Sequence, residues 1–236
     1  MKAVILAGGE GTRLLPYTFV LPKPLMPIGD RAILELLIRR LKKFGFREII
    51  ISIGYLGNLI KALCGDGNKW GITISYSEED QPLGTIGPLT LINGGLGQTF
   101  LVCNGDTLTD LNMNRFLQFH KEKGGIATIA GIKREVKIGL GVFECDGDHR
   151  IESFMEKPRR EYLASMGIYL FEPEILTYVP QGIPFGFNDL MYALLSEGVP
   201  IYSYIHDGYW FDIGIEEDFK RAQREFEENR ERITED

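Results

Sequence analysis

Histidine, cysteine and tryptophan are scarce in this chain of 236 residues, which contains three, three and two of them. His120, His149 and His206 are scattered, and neither His-Glu-x-x-His nor Cys-x-x-Cys occurs, which disfavours a transition-metal centre. The same poverty disfavours a Ser-His-Asp nucleophile. Cys64, Cys103 and Cys145 are odd in number and far apart, a pattern of reduced thiols and not of a disulfide framework. Excess positive charge is missing too. A formal net charge of −7 opposes non-specific binding of nucleic acid or an anionic membrane, although a small anionic substrate in a locally positive pocket stays compatible. Long apolar runs are absent. The first run after Met1-Lys2 is only Ala3–Ala7, too short for a secretory signal, and no stretch approaches a membrane span. The expectation is a soluble, cytoplasmic protein with ordinary globular composition and enough length to bury a substantial core.

Alternation dominates what is present. Ala3–Ala7 is wholly apolar and stops at glycines, as a strand buried on both faces does. Ile33, Leu34, Leu37, Ile38 and Leu41 share one helical face, and Gly45 ends that run. A second buried strand is expected at Glu48–Ile53, a helix in "YLGNLIKALC" and a third strand at Ile72–Ser77. Phe100–Cys103 and "IATIAGI" read as further strands around a helix at Met113–Lys123. Strand and helix in turn predict an α/β fold with a mostly parallel sheet covered by helices. After about Lys133 short strands ("LGVFEC", "RIESFME", "ASMGIYLF") separated by Gly, Asp and Pro predict a β-rich section over or beside that sheet. Helices at Asn188–Glu197 and from Glu216 to about Arg230 follow, then a charged tail read as a frayed or solvated helix end. With no disordered linker and no repeat, residues 1–236 read as a single unit, with one half over about 1–133 and a second over about 134–236.

The loop after the first strand, "LAGGEGTRLLPYTFVLPKPLMPIGD", contains neither common nucleotide motif. Gly9-Glu10-Gly11 starts a G-x-G-x-x-G, but Leu14 stands where its third glycine belongs, and no Gly-Lys-Ser/Thr occurs. What the loop does offer is close approach of main-chain N–H groups to an anion at Gly8, Gly9 and Gly11, with a permanently charged fork at Arg13. Pro16, Pro22, Pro24 and Pro27 stiffen it, and Lys23 sits between two of them. The competing explanation is a surface turn with two solvated cations.

With these spacings the segment resembles the N-terminal motif of the sugar-1-phosphate nucleotidylyltransferases, which join a nucleoside triphosphate to a sugar 1-phosphate. The resemblance extends to about residue 225 and is strongest to the GDP-mannose pyrophosphorylases, including mannose-1-phosphate guanylyltransferases. It implies a Rossmann-like three-layer sandwich with a mixed, mostly parallel central sheet and a smaller β-rich section that binds sugar. It also implies that Arg13 and Lys23 are catalytic, offsetting charge at the α-phosphate, and that Leu6, Ala7, Gly8, Gly9, Gly11 and Thr12 line the nucleotide site. "NGDTLTD" looks like the family's Gly-Asp metal turn, and "GYWFDIGIEEDF" like its Trp-x-Asp-x-Gly segment, so Asp106 and Asp212 are the implied magnesium ligands, Asp106 also touching nucleotide. Magnesium suits two carboxylates completed by phosphate oxygens and water. Asp110 is a nearby competitor, and each aspartate alone would pass for a turn or cap residue.

"FMEKPRR" resembles the family's Glu-Lys-Pro motif, implying that Glu156 binds sugar hydroxyls and Lys157 the sugar phosphate; out of context it reads as a solvated pair before a turn. "EEDQPLGTIGPL" resembles the second glycine loop of the GDP-mannose pyrophosphorylases, making Gln81, Gly84 and Thr85 candidates for base and nucleoside contacts, with Thr85 as a helix N-cap the structural alternative. Gly141 and Ser165 complete the implied sugar-phosphate site. Two positions depart from the pattern: Leu140 stands where many members have Tyr, and Ser165-Met166-Gly167 replaces Asn-Ala-Gly and is similar to ADP-glucose pyrophosphorylases. The expected reaction is guanylyl transfer from GTP to mannose 1-phosphate or a manno-heptose 1-phosphate, with thymidylyl, cytidylyl or uridylyl transfer to a glucose-type sugar phosphate as the alternative. A non-catalytic nucleotide-sugar binder and a dinucleotide-dependent oxidoreductase are rivals of other classes. A homodimer is expected only on the prevalence of twofold oligomers.

Overall fold

The computed structural model describes residues 1–92 and 94–234. The order is β1 (Lys2–Ala7), β2 (Pro27–Ile28), β3 (Arg31–Ala32), α1 (Ile33–Lys43), β4 (Glu48–Ile53), α2 (Gly57–Cys64), β5 (Thr73–Glu78), β6 (Phe100–Asn104), β7 (Thr107–Thr109), α3 (Met113–Lys123), β8 (Ala127–Lys137), β9 (Gly141–Cys145), β10 (Ile151–Glu156), β11 (Arg159–Phe171), α4 (Phe187–Ser196), β12 (Ile201–His206), β13 (Trp210–Asp212) and α5 (Glu216–Thr234).

Seven strands form the main sheet in the order β12-β8-β11-β6-β1-β4-β5. All run parallel except β11, which is antiparallel to both neighbours. β1 is flanked by β4 and β6, and Ala3, Val4 and Ile5 are wholly buried, which explains an apolar run without alternation. The predicted face of α1 is buried, with Leu34, Leu37, Ile38 and Leu41 against the sheet, and Gly45 follows the helix at φ 86°. α3 starts where Asn112 accepts a hydrogen bond from Arg115 N at 3.1 Å and stops at Gly124. Helices cover both faces, giving the mixed three-layer α/β sandwich that the family resemblance implies.

Three differences come from the second half of the chain. "ASMGIYLF" belongs to β11, a strand in the middle of the sheet. Only β9 and β10 form a separate hairpin. β11 is obscured in the sequence by its own Gly167 and by the burial of only its second part, from Met166 to Phe171. β12 goes unpredicted: its residues are half-buried or exposed along an edge, so "IYSYIH" lacks the apolar signature of an inner strand. The charged tail is not a frayed end as far as Thr234. There α5 buries Phe226 and Ile233, and Arg232 Nη2 meets Asp110 Oδ2 at 2.9 Å; the last two residues of that expectation lie outside the described residues. This helix closes a third apolar cluster with Leu14, Met26, Ile28, Leu108, Phe211 and Ile213, beneath the proline-rich loop.

Candidate active site

The carboxyl ends of β6, β1, β4 and β5 open into a cleft of about 590 Å³. Here the connections after β1 and β6 run in opposite directions along the sheet, toward β4 and toward β8, where ligands of open α/β sheets bind. The glycine loop forms one wall. Gly8 allows close packing of neighbouring loops: any side chain there would collide with the Glu79 carboxylate, and Gly8 O accepts from Tyr55 N at 3.2 Å. Gly11 sits at φ 64°, its carbonyl accepting from Leu14 N at 2.9 Å and from Thr18 Oγ1 at 3.0 Å. Leu14, in the place of a third glycine, is buried in the apolar cluster below the loop. The chain therefore continues through short 3-10 turns at Thr12–Leu14, Tyr17–Phe19 and Lys23–Leu25 and not as a long helix.

Those turns bring Arg13 and Lys23 to the cleft. Lys23 Nζ is ion-paired with Asp106 Oδ2 and lies 3.7 Å from Asp212 Oδ1. The two aspartates, distant in sequence, meet through a small antiparallel ribbon in which Asp212 pairs with Thr107 and Phe211 with Leu108. Asp106 leads into one strand of that ribbon and Asp212 ends the other. Burial pushes the Asp212 carboxyl above its usual range; Asp106 adds to this, and Lys23 and Arg13 oppose it. Asp106 Oδ1 is buried without a hydrogen-bond partner among the described residues. An orphaned carboxylate oxygen beside a second carboxylate fits a divalent cation, which satisfies lone pairs that no protein donor reaches. Among the described residues no cluster of three or more His, Cys, Asp or Glu could hold a metal alone, so a cation here must draw further oxygens from substrate and water.

Asp110 does different work. It accepts from Tyr209 N at 2.7 Å and contacts His206 Nε2 and Arg232 Nη2 at 2.9 Å each. These ties anchor the turn before β13, and hence the strand bearing Asp212.

Of the remaining candidates, Leu6, Ala7, Gly8, Gly9, Gly11, Thr12, Gly84 and Thr85 line the cleft. Gln81 is exposed and does not line it. Thr85 is not a helix cap; the 3-10 turn begins at Gly87 after Ile86. Gly141, Glu156, Lys157 and Ser165 also lie outside the lining. Glu156 and Lys157 are an exposed pair 3.5 Å apart at the end of the β9–β10 hairpin, and Lys157 has φ 46°. Ser165 stands at an irregularity of β11, where its Oγ accepts from Gly167 N at 3.3 Å. Glu10 lines the cleft although the sequence reading gives it no role, and three further polar lining residues escape that reading: Ser52, Asn104 and Glu79. Of these three, each sits at or just beyond the carboxyl end of a parallel strand, and that position is the signal that could have found them.

The family's sequence model for nucleotidyl transferases matches residues 2–229. The chain belongs to the nucleotidyl transferase family. It is 37% identical to a UTP–glucose-1-phosphate uridylyltransferase of Synechocystis sp. over 95% of this chain and 63% of that protein. It is 33% identical to a mannose-1-phosphate guanylyltransferase of Mycobacterium tuberculosis over 94% of this chain and 63% of the relative. This nucleotidyl transferase chain thus spans a little under two thirds of the length of these curated relatives. The crystal structure of HddC from Yersinia pseudotuberculosis superposes with a TM-score of 0.75 at 28% identity, covering 95% of this chain and 99% of that one.

Proposed function

We propose that this nucleotidyl transferase carries a nucleoside monophosphate from a nucleoside triphosphate to a sugar 1-phosphate, releasing pyrophosphate. The observation that carries the reading is the Lys23 ammonium held between Asp106 and Asp212 at the mouth of a glycine-lined cleft. A phosphate oxygen of the sugar attacks the α-phosphorus in line; a new P–O bond forms as the bond to the β-phosphate oxygen breaks. The attacking oxygen is already anionic, so no general base is required. Arg13 and Lys23 neutralise the phosphates and fix their orientation, with turn N–H groups of the glycine loop as further donors. Magnesium, held by Asp106 and Asp212, supplies charge neutralisation at the phosphates when bound. Glu156 and Lys157 are assigned to sugar hydroxyls and sugar phosphate, with Gly141 and Ser165 beside them, and Gly84 and Thr85 to the nucleoside.

Guanylyl transfer to mannose 1-phosphate or a manno-heptose 1-phosphate is favoured by the Pro82-Leu83-Gly84-Thr85 loop and the guanylyltransferase relative. Uridylyl transfer to glucose 1-phosphate is the second reading, supported by the uridylyltransferase relative. A cytoplasmic homodimer is the proposed setting, on the prevalence of twofold oligomers. No helix among the described residues is long and apolar enough to cross a membrane. The test is pyrophosphate release from five nucleoside triphosphates against a panel of sugar 1-phosphates. Release with one pair supports the reading, and binding without release from any pair refutes it.

A further inference from the structure

The ribbon that carries Asp106 and Asp212 is too short to hold itself in place. β7 and β13 pair over three residues each, and two strands alone are marginal in water. Their register decides where Asp212 points. Phe211 and Leu108 face the apolar cluster beneath the proline-rich loop, so Asp212 faces the other way. A slip of one residue would turn Asp212 into that cluster.

At the end of the ribbon away from the two aspartates stands a polar cluster that the proposed reaction leaves unused. Asp110 Oδ1 accepts from Tyr209 N at 2.7 Å and from His206 Nε2 at 2.9 Å, and Arg232 Nη2 meets Oδ2 at 2.9 Å. A carboxylate only accepts, so Nε2 bears the proton. Tyr209 O accepts in return from Asp110 N at 3.1 Å and from Thr109 Oγ1 at 2.9 Å. Arg40 of α1 braces the cluster, donating to Arg232 O at 3.1 Å and to Leu111 O at 3.0 Å. The His206 and Asp110 side chains are only 11% and 13% exposed. Gly208 closes the turn over them: a side chain there would stand 2.5 Å from Asp110 Oδ1 and 2.6 Å from the His206 ring.

We propose that His206 and Asp110 are positioning residues for Asp212: they clasp the ribbon in register and so set the affinity of the aspartate pair for its cation. The inference rests on the nucleotidyl-transfer reading and deepens it. Three residues at about 3.4 Å apiece place the clasp about 10 Å along the ribbon from the carboxylates, so it acts without touching substrate. His206 comes from β12 of the main sheet and Arg232 from α5, which ties the ribbon to two elements outside it. Without the His206 donor, Asp110 Oδ1 keeps only Tyr209 N, and the half-buried carboxylate can turn toward Arg232 and release the turn that leads into β13.

The test compares the wild type with His206→Ala and with His206→Gln, whose amide nitrogen restores a donor in the place of Nε2. Two quantities are measured on each folded protein: the magnesium concentration for half-maximal pyrophosphate release, and hydrogen exchange of the amides of residues 209–213. In His206→Ala the magnesium requirement is expected to rise about tenfold, while the rate at saturating magnesium returns close to that of the wild type. Exchange at residues 209–213 is expected to quicken about tenfold or more while the amides of β1 and β4 keep their protection. His206→Gln should restore both quantities. A merely structural role would lower Tm and leave the magnesium requirement and the local exchange of the folded protein unchanged. That result, or failure of His206→Gln to restore either quantity, overturns the proposal. If His206→Ala does not fold, Gly208→Ala, which forces Asp110 and His206 apart, decides by the same two measurements. A wild type that releases no pyrophosphate with any substrate pair refutes the transfer reading and the role of the clasp together. Release with an unchanged magnesium requirement in the variants refutes the inference alone.

Discussion

Replacing Lys23 with alanine removes the one cation among the described residues that is ion-paired with both cleft aspartates, and its cost can be worked out from their surroundings. The Lys23 and Asp106 side chains are 13% and 17% exposed, while Asp212 is 44% exposed. Breaking a fully buried pair costs about 3–5 kcal/mol and an exposed one at most about 1 kcal/mol. Discounted for solvent, the Asp106 contact contributes about 2 kcal/mol and the longer Asp212 contact under about 0.5 kcal/mol. For a chain of this size that lowers Tm by about 4–10 °C. The deficit must also depend on pH in one direction. The folded-state pKa of Asp212 already lies above its ordinary value of 3.8, and removing Lys23 takes away an influence that lowers it. A raised carboxyl favours the folded state below its unfolded pKa, and that advantage is lost as pH rises through the folded pKa. The loss in Lys23→Ala is therefore fullest at neutral pH and shrinks as pH falls toward 4. Paired thermal melts at pH 7 and pH 4, without nucleotide, measure it. Pyrophosphate release below the variant's melting range should fall about 100-fold or more. A Tm deficit that is the same at both pH values, or near-wild-type turnover, refutes the reasoning.

Other perturbations separate the parts of the site. Gly8→Ala drives a methyl group into the Glu79 carboxylate and against Gly54 N; either Glu79 swings aside or the glycine loop shifts, and with either change nucleotide affinity measured by calorimetry should fall about tenfold. Asp110→Ala strands Tyr209 N, His206 and Arg232, and should cost about 3 kcal/mol, a Tm fall of roughly 6–12 °C by scanning calorimetry. Chelation by EDTA should abolish pyrophosphate release and added magnesium should restore it, while Asp212→Asn should raise the magnesium needed for half-maximal rate about tenfold.

The first half of the fold is legible because its strands are inner and parallel: "AVILA" and "EIIISI" are apolar on both faces, and α1 shows its buried stripe openly. The glycine loop and the carboxyl-end aspartates are legible for a related reason, since they interrupt apolar runs where a parallel sheet must present its ligands. β11 and β12 are less so. One is half ladder and half core, and the other is an edge strand with no apolar alternation. The partnership of Asp106 with Asp212 depends on the β7–β13 ribbon, a long-range pairing of three-residue strands that no local pattern announces. Asp110 looks as good as Asp106 in the sequence, and only its contacts with Tyr209, His206 and Arg232 distinguish it.

The lone reversed strand governs how the molecule comes together during synthesis. β4, β5 and β6 can join the sheet begun by β1 as they emerge from the ribosome, because each finds a neighbour already made. β8 finds none: both its partners, β11 and β12, are translated after it. It must wait with open edges until residues 159–171 arrive and insert between it and β6. Completion of the sheet is thus a late, non-local event, and the nascent chain is most exposed to misassociation in the interval before β11 is delivered.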